Sequence, residues 1–309
     1  MNHHRTRLLI GIGASILHSL AIAAGIVVFT FFVLRMIPGD VVDVRGIEGA
    51  LTYSQQTAMR EELGLNKDWI SQFLEWLGMI ASGNLGVSSR FSTPISDLFV
   101  NVLPSTLLLG ASALAIGLVF GIAIPTLACL YPRKILIALV EFVTIWSITI
   151  PTFSIGIVSV IVFAVWLHWI PAIGNYFIPS LILGLDITGT LAKMLYEDMK
   201  DIETTEYVRM ARAKGLSRAR IVFRHILPNA LTVIISLAGL LLGGVFTGAI
   251  TMEVVFGLPG LGTMTLQAIQ GRDYPVIQAV IIWLGFAIIF ANLVTDIVQR
   301  IVDPRLRNA

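Results

Sequence analysis

Five runs of this chain contain no Lys, Arg, Asp or Glu: Leu8 to Leu34, Leu98 to Pro132, Phe142 to Leu185, Ile226 to Met252 and Tyr274 to Thr295. Each exceeds the roughly 20 residues that a helix needs to cross about 30 Å of hydrocarbon. In hydrocarbon every backbone N–H and C=O must be paired within the segment, so such runs fold as membrane-spanning helices. The third run is long enough for one span, a turn and the start of another. The expected spans are 12–36, 103–130, 139–166, 178–197, 229–254 and 275–299, which makes an all-α integral membrane protein with six transmembrane helices. A mean hydropathy of +0.86 agrees.

The first run is too long for the apolar core of a removable signal and lacks a small-residue cleavage site before Arg35, so it is expected to remain as a span. The single cysteine, Cys129, lies in the second span and can form no internal disulfide.

Orientation follows from where the cations lie. If the N-terminus is inside, the inner segments hold Arg5 and Arg7, Arg133 and Lys134, eight bases from Lys193 to Arg224, and three from Arg300 to Arg307. The outer segments hold Arg45, Arg60, Lys67, Arg90 and Arg272. The positive-inside rule then puts both termini and the basic segment in the cytoplasm. Three parts are expected: 1–37, tail and first span; 38–102, an outer loop with interfacial helices; and 103–309, a five-span core that includes a cytoplasmic loop, 198–228.

The outer loop carries eight acids against four bases and includes "KDWISQFLEWLGMIAS". Trp69, Ile70, Phe73, Trp76, Leu77 and Ile80 recur there at helical spacing. That face suits either the membrane interface or packing on the bundle. "GLVFG" (Gly117, Gly121), "GLLLG" (Gly239, Gly243) and "GVFTG" (Gly244, Gly248) allow helix backbones to approach closely.

Six Lys or Arg occupy the sixteen positions from Arg209 to Arg224. Thr204 or Thr205 can cap a short helix, with Glu206 in its first turn, Arg212 and Lys214 in its last, and Gly215 as its stop. Ser217 can cap a second helix through Leu227, after which Pro228 opens the fifth span. Basic residues beside a membrane also act as topology signals and contact anionic lipid headgroups. A polytopic chain makes nucleic-acid binding a poor account of them. Ala211, Ala213 and Ala219 alternating with bases between paired caps describe a shaped protein-docking element.

"EYVRMARAKGLSRARIVFRHILPNAL" resembles the cytoplasmic signature loop of binding-protein-dependent ABC importer permeases of the dipeptide, oligopeptide and nickel class. Gly215 stands thirteen residues before Pro228 of Leu227-Pro228, the family spacing, and Ala211 keeps the second alanine. Arg209 and Met210 replace the pattern's acid and first alanine. Further stretches resemble the family in order: "FFVLRMIPGD" (Phe31 to Asp40), "ELGLNKDWISQFLEWLGMIASGNLGVS" (Glu62 to Ser88), "ITIPTF" (Ile148 to Phe153), "MEVVFGLPGLGTMTLQAIQGRDYPVIQ" (Met252 to Gln278) and "DPRLR" (Asp303 to Arg307).

The resemblance implies a type I ABC importer permease fold in the bacterial inner membrane, passing peptides or a similar small solute. It implies docking of Arg209, Ala211, Arg212, Ala213, Lys214, Gly215, Leu216, Ser217 and Arg218 in a cleft of an ATPase subunit, as a coupling helix. The implied partners are a second homologous permease, two cytoplasmic ATPases that hold ATP and Mg, a periplasmic or lipid-anchored substrate-binding protein, and membrane lipid. No segment of this chain matches the phosphate-cradling G-x-x-x-x-G-K-[ST] pattern, so no nucleotide cofactor is expected in it. A self-contained secondary transporter or channel is the alternative.

Three further features concern the pathway. Asp186 lies within a span, where a lipid-facing Asp costs about 2.5 to 3.5 kcal/mol, so it should face protein or water. It either lines the pathway and favours cationic groups, or pairs with Lys193 or a neighbouring span. Glu253 could contact solute or fix the loop that follows. "GLPGLG", with Gly257 and Gly260, reads as a tight re-entrant or surface turn that could also touch the binding protein or guard the pathway. Glu141 and Asp296 read as anchors near the inner surface. The five histidines have no metal-ligand spacing and there is no G-x-S-x-G elbow, which leaves no expected metal or catalytic site.

Overall fold

The computed structural model describes residues 2–40, 42, 43, 46, 52–62 and 64–302. Arg45, Glu48 and the Asp303 to Arg307 motif lie outside the described residues. Helix α1 (Asn2–Met36) is followed by two short helices in the loop before the next span, α2 (Tyr53–Glu62) and α3 (Trp69–Ala81). Then come α4 (Ile95–Leu130), α5 (Lys134–Thr149), α6 (Thr152–Trp166) and α7 (Phe177–Glu203). The remainder comprises α8 (Glu206–Ala213), α9 (Leu227–Phe256), α10 (Leu261–Gln270) and α11 (Tyr274–Val302). Among the described residues five helices are individually long and apolar enough to cross a membrane, and α5 with α6 forms a sixth, broken unit.

That break corrects the expected continuous span 139–166. The chain turns by 94° between α5 and α6. Pro151 has no N–H to donate and excludes the helical region for the residue before it, and Ile150 is accordingly extended (φ −113°, ψ 118°). Two other boundaries also move. The second span begins at Ile95 instead of 103, as one helix that carries Pro104 and Pro125 inside it. The fourth does not end near Tyr196: α7 runs on to Glu203, because Leu195 and Met199 on its last turns are fully buried and reward continued helix.

The α4–α7 seam is the tightest. Gly117 and Gly121 lie against Ile187 and Leu191, and Gly184 of α7 lies against Ile116, where a β-carbon would overlap each neighbour. Leu109, Ala113, Leu183, Ile187 and Leu191 from that seam join Leu241, Val245 and Met252 of α9 in the central core. A second core joins the C-terminal end of α1 and the N-terminal end of α4 to α10 and α11 through Leu34, Ile95, Phe99, Leu261 and Val276. Gly239 meets Asn292 of α11 and Gly248 meets Leu183, whereas Gly244 faces open space, so "GVFTG" is only half a packing motif.

Helix α3 divides its apolar face between the two expected uses. Phe73 and Trp76 stack on Phe31 of α1, both with centroids 5.2 Å away. Ile70 and Leu74 stay 65% and 60% exposed, available to a membrane interface.

The turn between α10 and α11 gathers both ends of the loop that joins α1 to α4. Arg272 donates to Pro38 O (2.7 Å) and the Tyr274 hydroxyl to Gly39 O (2.6 Å). Between them Asp273, fully buried, accepts from Ser88 Oγ (2.5 Å), Ser89 N (3.2 Å) and Arg90 N (3.1 Å).

Candidate functional site

The basic segment folds as an elbow on one end of the bundle. Thr205, in extended conformation, is the N-cap of α8, but its hydroxyl turns back to Ile202 O (2.7 Å). It thereby ties off the end of α7 and leaves the start of α8 to Glu206 and its favourable place at the helix N-terminus. The other end is a full Schellman closure: Leu216 N donates to Ala211 O (3.3 Å) and Gly215 N to Arg212 O (2.9 Å). That closure needs a left-handed residue, and Gly215 supplies it at φ +74°. Ser217 then accepts from Arg220 N (3.4 Å) and starts the turn Arg218–Ile221.

No separate second helix ends at Leu227. The turn passes through a π-helical stretch, Val222–Ile226, directly into α9, and Pro228 sits in the first turn of α9. The wider π turn accommodates the ring and the missing N–H without breaking the rod.

Two faces of α8 differ in kind. Val208 (0% exposed) and Ala211 (6%) sink into a cluster with Cys129, Leu195, Met199, Ile221 and Ile226, and Leu216 closes over it. Opposite them Tyr207, Arg209, Met210, Ala213 and Lys214 are exposed, with Met210 at 60%. Tyr207, Met210 and Lys214 lie along one ridge by helical spacing. An exposed, rigidly mounted ridge with an aromatic, a methionine and cations is suited to a protein cleft. Reading the bases alone missed Tyr207 and Met210; their i, i+3 spacing beside the buried Val208 and Ala211 was the available signal.

Arg212 and Arg218 are differently occupied. Glu203, at the end of α7, takes Arg212 (2.5 Å) and Arg218 (3.3 Å) on Oε1 and Lys200 (3.2 Å) on Oε2. Arg218 Nε also donates to Cys129 O at the end of α4 (2.8 Å). These two arginines therefore bind the elbow to the ends of α4 and α7. Glu203, absent from the expected site, is the hub.

A groove of about 520 Å³ opens between α7, α9 and the start of α6, lined in part by Thr152, Asp186, Thr190, Gly244, Thr247 and Thr251. Asp186 forms no ion pair among the described residues, which removes the expected pairing with Lys193. The open face of α9 carries Asn229, Thr232, Ser236, Leu240, Gly244 and Thr247, all exposed, at spacings of three or four residues. A mostly polar stripe down the outward face of an apolar helix is poor in lipid and apt for a wet path. Single-residue hydropathy hides it, because Ser, Thr and Gly score as nearly neutral.

At the other end Glu253 is fully buried, its Oε2 accepting from Gly262 N (2.6 Å) in the first turn of α10. The carboxylate caps that helix, where orphan N–H groups favour an anion. Gly257 ends α9 in left-handed conformation (φ +59°), and at Gly260 a β-carbon would collide with the Glu253 carboxyl. Of the two roles open to Glu253, this geometry is that of fixing the following loop. "GLPGLG" is the turn wrapped around it.

Comparison with known proteins agrees with this architecture. Residues 113–308 match the family model described as binding-protein-dependent transport system inner membrane component. The chain is 32% identical to the glutathione transport system permease protein GsiC of Escherichia coli O6:H1, over 91% of this chain and 93% of that protein. It is 31% identical to the di/tripeptide transport system permease protein DppB of Pseudomonas aeruginosa, over 92% of this chain and 94% of that one. A multi-pass helical bundle with a shaped elbow before its α9 span, matched over nearly its whole length, is a permease subunit of an ABC importer, and the chain belongs to the binding-protein-dependent transport system inner membrane component family.

Proposed function

We propose that this subunit supplies half of the pathway by which a peptide-like solute enters the cell, and that α8 is its coupling helix. Its two termini and elbow lie in the cytoplasm; the α10 end faces outward and receives solute from a binding protein. A second, homologous permease faces the polar stripe of α9. Two ATPase subunits carry the ATP and Mg, since this chain has no phosphate-cradling loop. The peptide-like solute is inferred from the relatives, one named for glutathione and one for di- and tripeptides.

The observation that carries this reading is the two-faced mounting of α8: Val208 and Ala211 locked into the bundle, Tyr207 and Met210 presented outward. A lipid-directed polybasic tether needs neither a buried anchor nor a Schellman closure. Approach of the two ATPases would drive the two elbows together and rotate the attached bundles as rigid bodies, opening the groove alternately to each side.

The test is co-purification of the permease pair with its ATPases. Met210→Glu with Tyr207→Glu is expected to abolish ATPase retention while the chain still inserts and pairs with the second permease. Undiminished retention, or solute uptake driven by a proton gradient with no ATPase present, would refute the docking role.

A further inference from the structure

Asp186 and Thr247 each lie nine residues from the outer end of their helix, Phe177 for α7 and Phe256 for α9. At 1.5 Å per residue both sit about 14 Å inward, near the middle of the hydrocarbon layer. They line the same groove, and the residues around it include no Lys, Arg or His.

Three of the four threonine hydroxyls of the groove are committed in a consistent sense; the fourth, Thr152, stands at the start of α6. Thr247 Oγ1 donates to Gly243 O (3.1 Å), Thr251 Oγ1 to Thr247 O (3.1 Å) and Thr190 Oγ1 to Asp186 O (3.4 Å). A threonine has one proton to give and two lone pairs; with the proton spent on its own helix, it can only accept. Three such oxygens and a carboxylate that forms no ion pair make a wall that accepts without donating. A solute carboxylate or phosphate would find no donor among these four groups and would be repelled by Asp186. An ammonium has donors alone, carries the opposite charge, and is complementary to every one of these groups. A cavity lined by one sign of charge between low-dielectric walls also concentrates the counter-charge.

From this we infer that the middle of the groove is a subsite for a protonated amine on the translocated solute, with Asp186 as its counter-charge and Thr190, Thr247 and Thr251 as acceptors. The inference rests on the reading of the groove as the pathway. It names a chemical requirement that the bundle itself imposes, downstream of whatever a binding protein selects.

The experiment uses the whole importer in nanodiscs, with Thr247→Cys as a reporter and the parent chain, whose Cys129 is buried, as the background control. Two methanethiosulfonate reagents are compared, one bearing trimethylammonium and one sulfonate, each rate normalised to reaction with a free thiol. The cationic reagent is expected to react on the order of tenfold faster or more. Adding Asp186→Asn, which keeps the side chain's shape, should abolish the preference, and Asp186→Glu should retain it. A ratio unmoved by Asp186→Asn overturns the amine subsite while leaving a wetted pathway in place. A cysteine that reacts with neither reagent, with or without ATP, shows a dry groove and overturns the pathway reading along with the subsite. In proteoliposomes the same inference expects trialanine to be taken up in preference to N-acetyl-trialanine, and Asp186→Asn to remove that preference; equal uptake of the two by the parent importer also overturns it.

Discussion

Replacing Glu203 by Gln removes one negative charge from beneath three cations and leaves the shape of the side chain unchanged. Glu203 is 15% exposed, while Lys200, Arg212 and Arg218 are 40%, 49% and 41% exposed. Exposed ion pairs contribute about 0.2 to 1 kcal/mol each, and water around the three bases holds these toward the low end of that range. The Lys200 pair lies within α7, so only the Arg212 and Arg218 pairs hold the elbow, and since they share one carboxylate their sum is taken as about 0.5 to 1 kcal/mol, without additivity. The apolar anchor of Val208, Ala211 and Leu216 is untouched, so α8 should remain helical but detach from the bundle more often. A change of 0.5 to 1 kcal/mol multiplies the population of the detached state by about 2 to 5. Amide hydrogen exchange in nanodiscs reads this directly: protection across 206–216 should fall by that factor, while 177–195 of α7 stays as it was. On the proposed reading of α8 as the coupling helix, ATP hydrolysis in the assembled importer should continue with less solute moved per ATP, because force applied at α8 would reach α4 and α7 partly through this hub. Unchanged protection across 206–216 would refute the hub, and loss of protection throughout α7 would show that Glu203 holds the helix end and not the elbow.

Other expectations follow from the half of the bundle that carries α10. Gly260→Ala should lower stability by about 1 to 3 kcal/mol, since its β-carbon displaces the Glu253 carboxyl from α10, whereas Gly244→Ala, facing open space, should stay within about 0.5 kcal/mol; thermal unfolding in detergent compares them. Asp273→Ala leaves two backbone N–H groups and a hydroxyl without their buried acceptor, at about 1 to 3 kcal/mol, and should make the peptide bond after Arg90 sensitive to trypsin in the folded protein. At Asp40 burial works against the charge, but the hydrogen bond from Arg60 and the backbone bonds outweigh it and hold the carboxyl below its ordinary 3.8. A depressed folded value means the clasp between the end of α1 and α2 contributes its full stability above 3.8 and loses it as pH falls through the lower folded value. Asp40→Asn should flatten that acid limb in hydrogen exchange of 53–62.

What the sequence disclosed, and what it withheld, divides by range. Both caps of the elbow were legible because Thr205, Gly215 and Ser217 act on backbone within three or four residues of themselves. Glu203 was not, because its partners Arg212 and Arg218 are distant in sequence and meet it only after α8 folds back. Four of the six spans were legible from charge-free length, and a fifth, 178–197, from the tail of the third run. The break in the remaining one was written in Pro151, but an unbroken apolar run outweighed a single residue. The end of α7 was misplaced for the opposite reason: Glu197, Asp198 and Lys200 look like loop, while Leu195 and Met199 between them belong to the buried cluster under the elbow.

The two π-helical stretches bear on how such a bundle could move. One closes α6 (Val160–Trp166) and the other precedes α9 (Val222–Ile226), next to the elbow. A π turn breaks the regular i to i−4 ladder and is a place where a helix can change its phase at modest cost. The α4–α7 seam has no such freedom, because Gly117, Gly121 and Gly184 bring side chains of one helix onto the backbone of the other. On the proposed reading, force entering at α8 would pass stiffly through Glu203, Arg218 and the Cys129 carbonyl into α4 and α7. The same force would reach α9 through the more pliable π turn. Asp186 rides on the stiff element and the polar stripe, with Thr247, on the pliable one, so motion at the elbow would alter their separation and with it the width of the groove between them.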